Sequence, residues 1–243
     1  MDTKQDSTSI LELRNLSKLF GGLKAVDDVN MKIGKGELHC LIGPNGAGKS
    51  TIFRLITGDC APTSGQIYFK GRNITRRKTW QRAHDGISIK TQIPGVYNEL
   101  TLRDNIRIAL QRHFGNRAID AEIDRLTDFV GIHKLGNPLV KNMSHGQQQW
   151  LEIAMVLATR PSLLLLDEPA AGMGPDETEF TATLVKEISS QGMTIVFIDH
   201  DMDFVKRIAN QITVLHYGRV FAVGTFSEIE RNNDVVEIYL GNV

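Results

Sequence analysis

The feature that limits this chain most is the stretch Gly43-Pro44-Asn45-Gly46-Ala47-Gly48-Lys49-Ser50, which matches G-x-x-x-x-G-K-[ST]. Glycines let the backbone wrap tightly around a phosphate and turn its N–H groups inward. A helix beginning at Lys49 would add unpaired N–H groups and the positive end of its dipole. The Lys49 ammonium would neutralise the β- and γ-phosphates, and the Ser50 hydroxyl, beside Thr51, would reach Mg²⁺. The flanks suit this reading. Glu37 to Ile42 is a short apolar strand, and Ile52, Phe53, Leu55 and Ile56 recur at helical spacing from Lys49 to Thr57, before a capping Gly58.

A phosphate cradle of this kind needs a carboxylate at the end of a buried strand. Leu163-Leu164-Leu165-Leu166-Asp167-Glu168-Pro169 supplies it. Asp167 would hold Mg²⁺, directly or through water, and Glu168 is placed to orient or deprotonate an attacking water.

Around these landmarks the chain alternates between two textures. Ile10–Leu13 and Val29–Ile33 read as strands, broken by Gly21-Gly22, with Gly34-Lys35-Gly36 as a turn. Thr63-Ser64-Gly65 is read as a turn before a strand over Gln66–Lys70. From about Ile93 to Thr159 the periodicity is helical, with amphipathic stretches at Leu102–Leu110 and Ile119–Val130, the second closed by Gly131. Strand and helix alternate again from Ser162, through a helix over Glu177–Ser190 and a strand over Thr194–Ile198. Continuous apolar strands separated by helices predict an α/β fold with a parallel sheet covered on both faces, interrupted by a helical lobe.

Composition excludes several classes. Lys+Arg and Asp+Glu both number 28, so the basic excess of a nucleic-acid coat is missing. The one basic cluster, Arg72, Arg76, Arg77, Lys78 and Arg82, reads as a solvated face. No apolar run approaches the roughly 20 residues needed to cross a bilayer. The start, MDTKQDSTSI, is polar and without an apolar signal region, and Cys40 and Cys60 read as free thiols of a reducing cytosol.

Between the glycine-rich loop and the acidic strand lies Met143-Ser144-His145-Gly146-Gln147-Gln148, opening a helix to Ala158 with Trp150, Leu151, Ala154 and Leu157 on one face. Ser144 followed by Gln147 is also an N-capping box. This stretch is similar to the LSGGQ signature, and over nearly its whole length the chain resembles the nucleotide-binding subunit of ABC transporters. The resemblance implies a P-loop NTPase core of RecA type, an N-terminal antiparallel β portion and an inserted helical subdomain. It implies one nucleotide-binding domain over 1–243, with 1–92 and 160–243 as core and 93–159 as the helical lobe. It also implies that Ser144, Gly146 and Gln147 address the γ-phosphate held by an opposing subunit. Gln92 looks like the Q-loop glutamine serving Mg²⁺ and water, His200 like the switch histidine, and Phe20 like the aromatic stacked on adenine. The expected nucleotide site is therefore Phe20, Gly43 to Thr51, Ser144, Gly146 and Gln147. Lys49, Gln92, Glu168 and His200 are the expected catalytic set, and Ser50, Gln92 and Asp167 the Mg²⁺ ligands.

Two departures stand out from that pattern. His145 replaces a glycine of the signature, so an imidazole either meets nucleotide or turns away from it; the second is preferred. Gly174 stands where the family usually has the D-loop aspartate. Ser144-His145-Gly146-Gln147, Trp150-Leu151-Glu152-Ile153, Glu168-Pro169-Ala170-Ala171-Gly172-Met173 and the ending Val236-Glu237-Ile238-Tyr239-Leu240-Gly241 look like ATPases of branched-chain amino acid and urea or amide uptake systems. That resemblance implies a peripheral subunit on the cytoplasmic face of a bacterial inner membrane. Its partners would be two permease subunits, a second ATP-binding subunit and, indirectly, an external binding protein, with no nucleic acid. Three rivals remain: a soluble ABC ATPase of DNA or ribosomes, a P-loop GTPase and a lipid or lipopolysaccharide export ATPase. The GTPase lacks its Asn-Lys-x-Asp reader, and the exporter signature usually keeps both glycines.

Overall fold

The computed structural model describes residues 9–111 and 116–240; Gly241 of the terminal motif and the polar start before Ser9 lie outside the described residues. In chain order, β1 (Ser9–Phe20) and β2 (Leu23–Gly34) form a long antiparallel hairpin around Gly21-Gly22. β3 (Leu38–Ile42) leads into α1 (Lys49–Thr57). β4 (Ser64–Phe69) and β5 (Arg72–Asn73) complete a sheet of order β2-β1-β4-β5. The expected turn at Thr63-Ser64-Gly65 is shorter than read, because Ser64 and Gly65 already pair with β1.

α2 (Thr79–Asp85) precedes β6 (Ile87–Lys90); α3 (Leu102–Leu110), α4 (Asn116–Phe129) and α5 (His145–Ala158) make the helical region. β7 (Leu163–Asp167), α6 (Pro175–Ser190), β8 (Thr194–Ile198), α7 (Met202–Ile208), β9 (Gln211–His216) and β10 (Arg219–Gly224) follow, then α8 (Phe226–Glu230) and α9 (Asn233–Leu240). The second sheet runs β10-β9-β3-β8-β7-β6, parallel except for the β9–β10 pair. Every residue of β3 and β8 is buried, as are Leu163–Leu166 of β7. Such unbroken apolar strands require cover on both faces, which the helices on one side and the β1–β4 sheet on the other supply. One core lies between the two sheets and around α1, and includes Leu13, Val29, Phe53, Leu165 and Val196. The other runs without a break from Ile106, Leu126 and Leu151 of the helical region to Leu164 and Phe197 of the parallel sheet.

The basic cluster is not one solvated face. Arg82 is 1% exposed. Its guanidinium donates to the carbonyls of Leu55, Ile56, Thr75 and Arg77, at 2.6–2.9 Å. Two of these belong to the last turn of α1, where helix carbonyls have no partner of their own. The charge therefore serves as a cap inside the protein; Arg77 pairs with Asp85 at 3.2 Å, and Arg72, Arg76 and Lys78 stay exposed.

Candidate active site

A parallel sheet gathers functional groups beyond the carboxyl ends of its strands, and four adjacent strands here do so together. β3 ends at the glycine-rich loop, β8 at Asp199-His200, β7 at Asp167-Glu168 and β6 at Lys90 with Gln92 beyond it.

The loop after β3 is shaped by close backbone contacts. A Cβ on Gly43 would lie 2.2 Å from the Leu215 carbonyl oxygen, and one on Gly48 2.3 Å from that of Ala25. Both have positive φ, 147° and 102°, so only glycine fits. Gly48 is the residue before α1, and Ile52 N–H bonds its carbonyl at 2.9 Å, so the free N–H groups of Lys49, Ser50 and Thr51 open the helix. Lys49 folds back to donate to Gly43 O at 2.6 Å and Pro44 O at 3.0 Å. Burial pushes its pKa down, while Glu168 and Asp167 act in the opposite sense. Pro44, Asn45, Gly46 and Ala47 fill the turn, closed by Ala47 N–H on Pro44 O at 3.1 Å. Ser50 is exposed at the mouth of the loop.

Glu168 sits one residue past β7 with φ +47°, its N–H bonded to Ile198 O at 2.9 Å. Its two oxygens face different partners. Gln92 Nε2 donates to Oε2 at 2.7 Å, and His200 Nδ1 lies 3.4 Å from Oε1. Asp167 beside it is held above the ordinary carboxylate pKa, first by burial and then by the Glu168 charge. The adjacent carboxylates are only partly offset by Lys49 and Lys90, and carboxylate, hydroxyl and amide oxygens such as those of Asp167, Ser50 and Gln92 are the hard donors Mg²⁺ takes alongside phosphate oxygens and water. Asp199 is 5% exposed and accepts from the N–H groups of His200 and Asp201 through Oδ1, which fixes the turn carrying His200.

Phe20 lies apart from this cluster, half-exposed at the end of β1, with Lys18 Nζ 4.9 Å above its ring. Ser144 caps α5 as the sequence predicts: its Oγ accepts from Gln147 N–H at 3.2 Å and its own N–H donates to Gln147 Oε1 at 3.0 Å. Gly146 backs onto α6, where a Cβ would lie 2.5 Å from Glu177 Oε1. Among the described residues no hydrogen bond joins this end of α5 to the glycine-rich loop of the same chain. His145 turns towards its own chain: Nε2 lies 3.2 Å from Ala171 O and also 3.2 Å from Gln149 Nε2. One nitrogen cannot serve both; protonated it donates to Ala171, unprotonated it accepts from Gln149. Gly174 precedes α6 and bonds Glu177 Oε2 through its N–H at 3.2 Å.

Sequence reasoning passed over Gln149, Glu152 and Lys90, all buried next to the Gln92 segment. The available signal was a pair of polar residues three apart on the inward face of α5.

A family model described as ABC transporter matches residues 26–171. The chain is 35% identical to the high-affinity branched-chain amino acid transport ATP-binding protein BraF of Pseudomonas aeruginosa, over 97% of this chain and 99% of that protein. It is 34% identical to the LivG protein of the same description from Escherichia coli, over 97% and 99%. Among solved structures it superposes on the ADP conformation of an ATP-binding cassette of an ABC transporter with TM-score 0.88 and 28% identity, over 96% of this chain and 99% of that one.

Proposed function

The chain belongs to the ABC transporter family, and from that premise we propose that it is the ATP-hydrolysing subunit of an importer for branched-chain amino acids or for urea or amides. Glu168, held between Gln92 and His200 above the phosphate loop, is the observation that carries this reading. A carboxylate tied through one oxygen to Gln92, with His200 beside the other, is oriented in the way a group that orients or deprotonates water requires. Lys49 and the N–H groups opening α1 bind and stabilise phosphate charge. His200, exposed at its tip, senses the terminal phosphate. Phe20 offers its free ring face to the adenine. Ser50, Asp167 and Gln92 would hold Mg²⁺, which when bound offsets negative charge on the phosphates.

The end of α5 with Ser144, Gly146 and Gln147 points to a nucleotide on a second ATP-binding subunit, since no bond draws it to this chain's own loop. Each triphosphate would then be shared between two chains. The pair would sit under two permease subunits, at the cytoplasmic face of a bacterial inner membrane, with an external binding protein delivering the solute. No helix among the described residues is long and apolar enough to cross a membrane, which suits a peripheral subunit. We take 1–92 and 160–243 as the α/β core, 93–159 as the helical lobe, and the segment from about Ile93 to Asn105 as the part that moves the permease subunits. Ile93 and Tyr97 are 80% and 54% exposed and are the contacts we assign to the permease. Val96 packs against the core, so its side chain is a support for that surface and not part of it. The nucleic-acid alternative loses its main support with Arg82 buried.

The test is transport and hydrolysis in the assembled complex. Substituting Tyr97 and Ile93 by charged residues should uncouple uptake from hydrolysis. Coupling left intact would remove that surface from its role.

A further inference from the structure

α5 buries two polar side chains on the face where apolar residues belong. Gln149 is 0% and Glu152 5% exposed, and three residues apart they lie on the same side of the helix. Each reaches the segment after β6. Gln149 Nε2 donates to Gln92 O at 3.3 Å, and Glu152 Oε1 accepts from Gly95 N–H at 3.0 Å. A single helix therefore grips residues 92–95 at both ends. The fit at the second point is close, since a Cβ on Gly95 would lie 3.3 Å from Glu152 Oε1. Below them Lys90, 0% exposed, places Nζ 3.9 Å from Glu152 Oε2. Burial pushes Glu152 up and Lys90 down, and each charge opposes the other's shift.

Stability gives little reason for the buried charges in this arrangement. A buried ion pair rarely outperforms an apolar pair of similar volume, because desolvation offsets most of the Coulombic gain. Among the described residues Gln149 Oε1 also has no hydrogen-bond partner, which costs further. A contact made only for packing between α5 and β6 would need no charge at either position.

We propose that Gln149 and Glu152 are positioning residues for Gln92, with Lys90 as the counter-ion that lets Glu152 stay buried. The proposal rests on the role given above to the Gln92–Glu168 contact. Ser144 caps α5, so any displacement of that end by a nucleotide on the opposing subunit carries the 92–95 segment with it. The side chain of Gln92 then reports the state of the signature helix to Glu168 within the same chain. The grip is made by polar contacts to backbone groups of the segment, so it transmits position.

The full chain with its nucleotide-binding partner provides the test, by melting temperature, ATP affinity and kcat. K90M/E152Q removes both charges but keeps an acceptor for Gly95 N–H; K90M/E152L removes the acceptor as well. Both should melt close to the unsubstituted protein. K90M/E152Q should keep kcat within about threefold, while K90M/E152L loses about tenfold to a hundredfold with ATP affinity unchanged, the scale expected when a reacting geometry slips by about an ångström. Equal kcat in the two doubles overturns the proposal. Should K90M/E152L not fold, Q149M decides: lower kcat at unchanged affinity supports the grip, unchanged kcat overturns it. Q92A run alongside separates the layers. If Q92A turns over normally, the role of Gln92 itself fails; if Q92A is impaired and K90M/E152L is not, only the grip fails.

Discussion

Gln92 and Glu168 come from adjacent parallel strands and meet through a 2.7 Å hydrogen bond from Nε2 to Oε2. Their meeting depends on the β6–β7 register, in which Lys90 pairs with Leu166. Gln92 and Glu168 then emerge side by side, each two residues further on. His200 Nδ1 lies 3.4 Å from the other oxygen.

Glu168→Gln keeps an acceptor oxygen for Gln92 Nε2 but removes the base. Turnover should fall by about 10²- to 10⁴-fold, the usual contribution of a positioned acid or base. ATP binding should persist, and the two nucleotide-binding chains should stay associated in ATP. Single-turnover hydrolysis and size-exclusion chromatography measure both.

Lys49→Ala should weaken ATP binding by about tenfold to a hundredfold, as expected for charge-assisted bonds worth about 1.5–3 kcal/mol. Titration with a fluorescent ATP analogue reads this directly. The melting temperature without nucleotide should change little, since Lys49 currently bonds only loop carbonyls.

Arg82→Met leaves the carbonyls of Leu55, Ile56, Thr75 and Arg77 without donors. Several kcal/mol of stability should be lost, at about 1–3 kcal/mol for each buried group left unpaired and allowing for partial hydration. Urea denaturation measures it. A variant with unchanged midpoint would mean that water replaces the guanidinium without penalty.

Asp199 is raised above its ordinary pKa of 3.8, chiefly by burial. The sign follows from that direction. A carboxyl whose folded pKa exceeds its unfolded one disfavours the folded state when ionised, and this penalty fades as pH falls through the raised value. Asp199→Asn keeps an acceptor for His200 and Asp201 N–H and replaces the unbonded Oδ2. The variant should therefore melt higher than the native protein near neutral pH, with the difference shrinking on acidification. A difference that grows towards acid would reverse the assignment.

Much of this architecture can be read in the chain because its signals are local. α1 spans Lys49–Thr57 and α3 Leu102–Leu110, as the apolar spacing and flanking caps indicate. Leu163–Leu166 and Thr194–Ile198 fall in β7 and β8 because a short unbroken apolar run fits only a doubly covered strand. α2 escaped because its inward face is carried by a buried arginine, which periodicity counts as polar. β1 and β2 run to Phe20 and from Leu23, longer than the apolar alternation suggests, since register shifts at Leu13–Leu16 and Leu16–Lys18 break the pattern. β9, β10 and the last helices were left unread. The motifs located Gln92, Glu168 and His200 but not their mutual contacts, which arise from strand order. Gln149 and Glu152 leave only a faint signal, two polar residues three apart on an inward helix face, because a buried polar side chain and a solvated one look alike in sequence.

The claim at the centre is that each triphosphate is completed by a second chain. Hydrolysis measured across a dilution series, with association state followed by sedimentation, tests it most directly. Activity per chain should collapse in step with dissociation of the pair. Chains verified as separate that cleave ATP at the undiluted rate would contradict it.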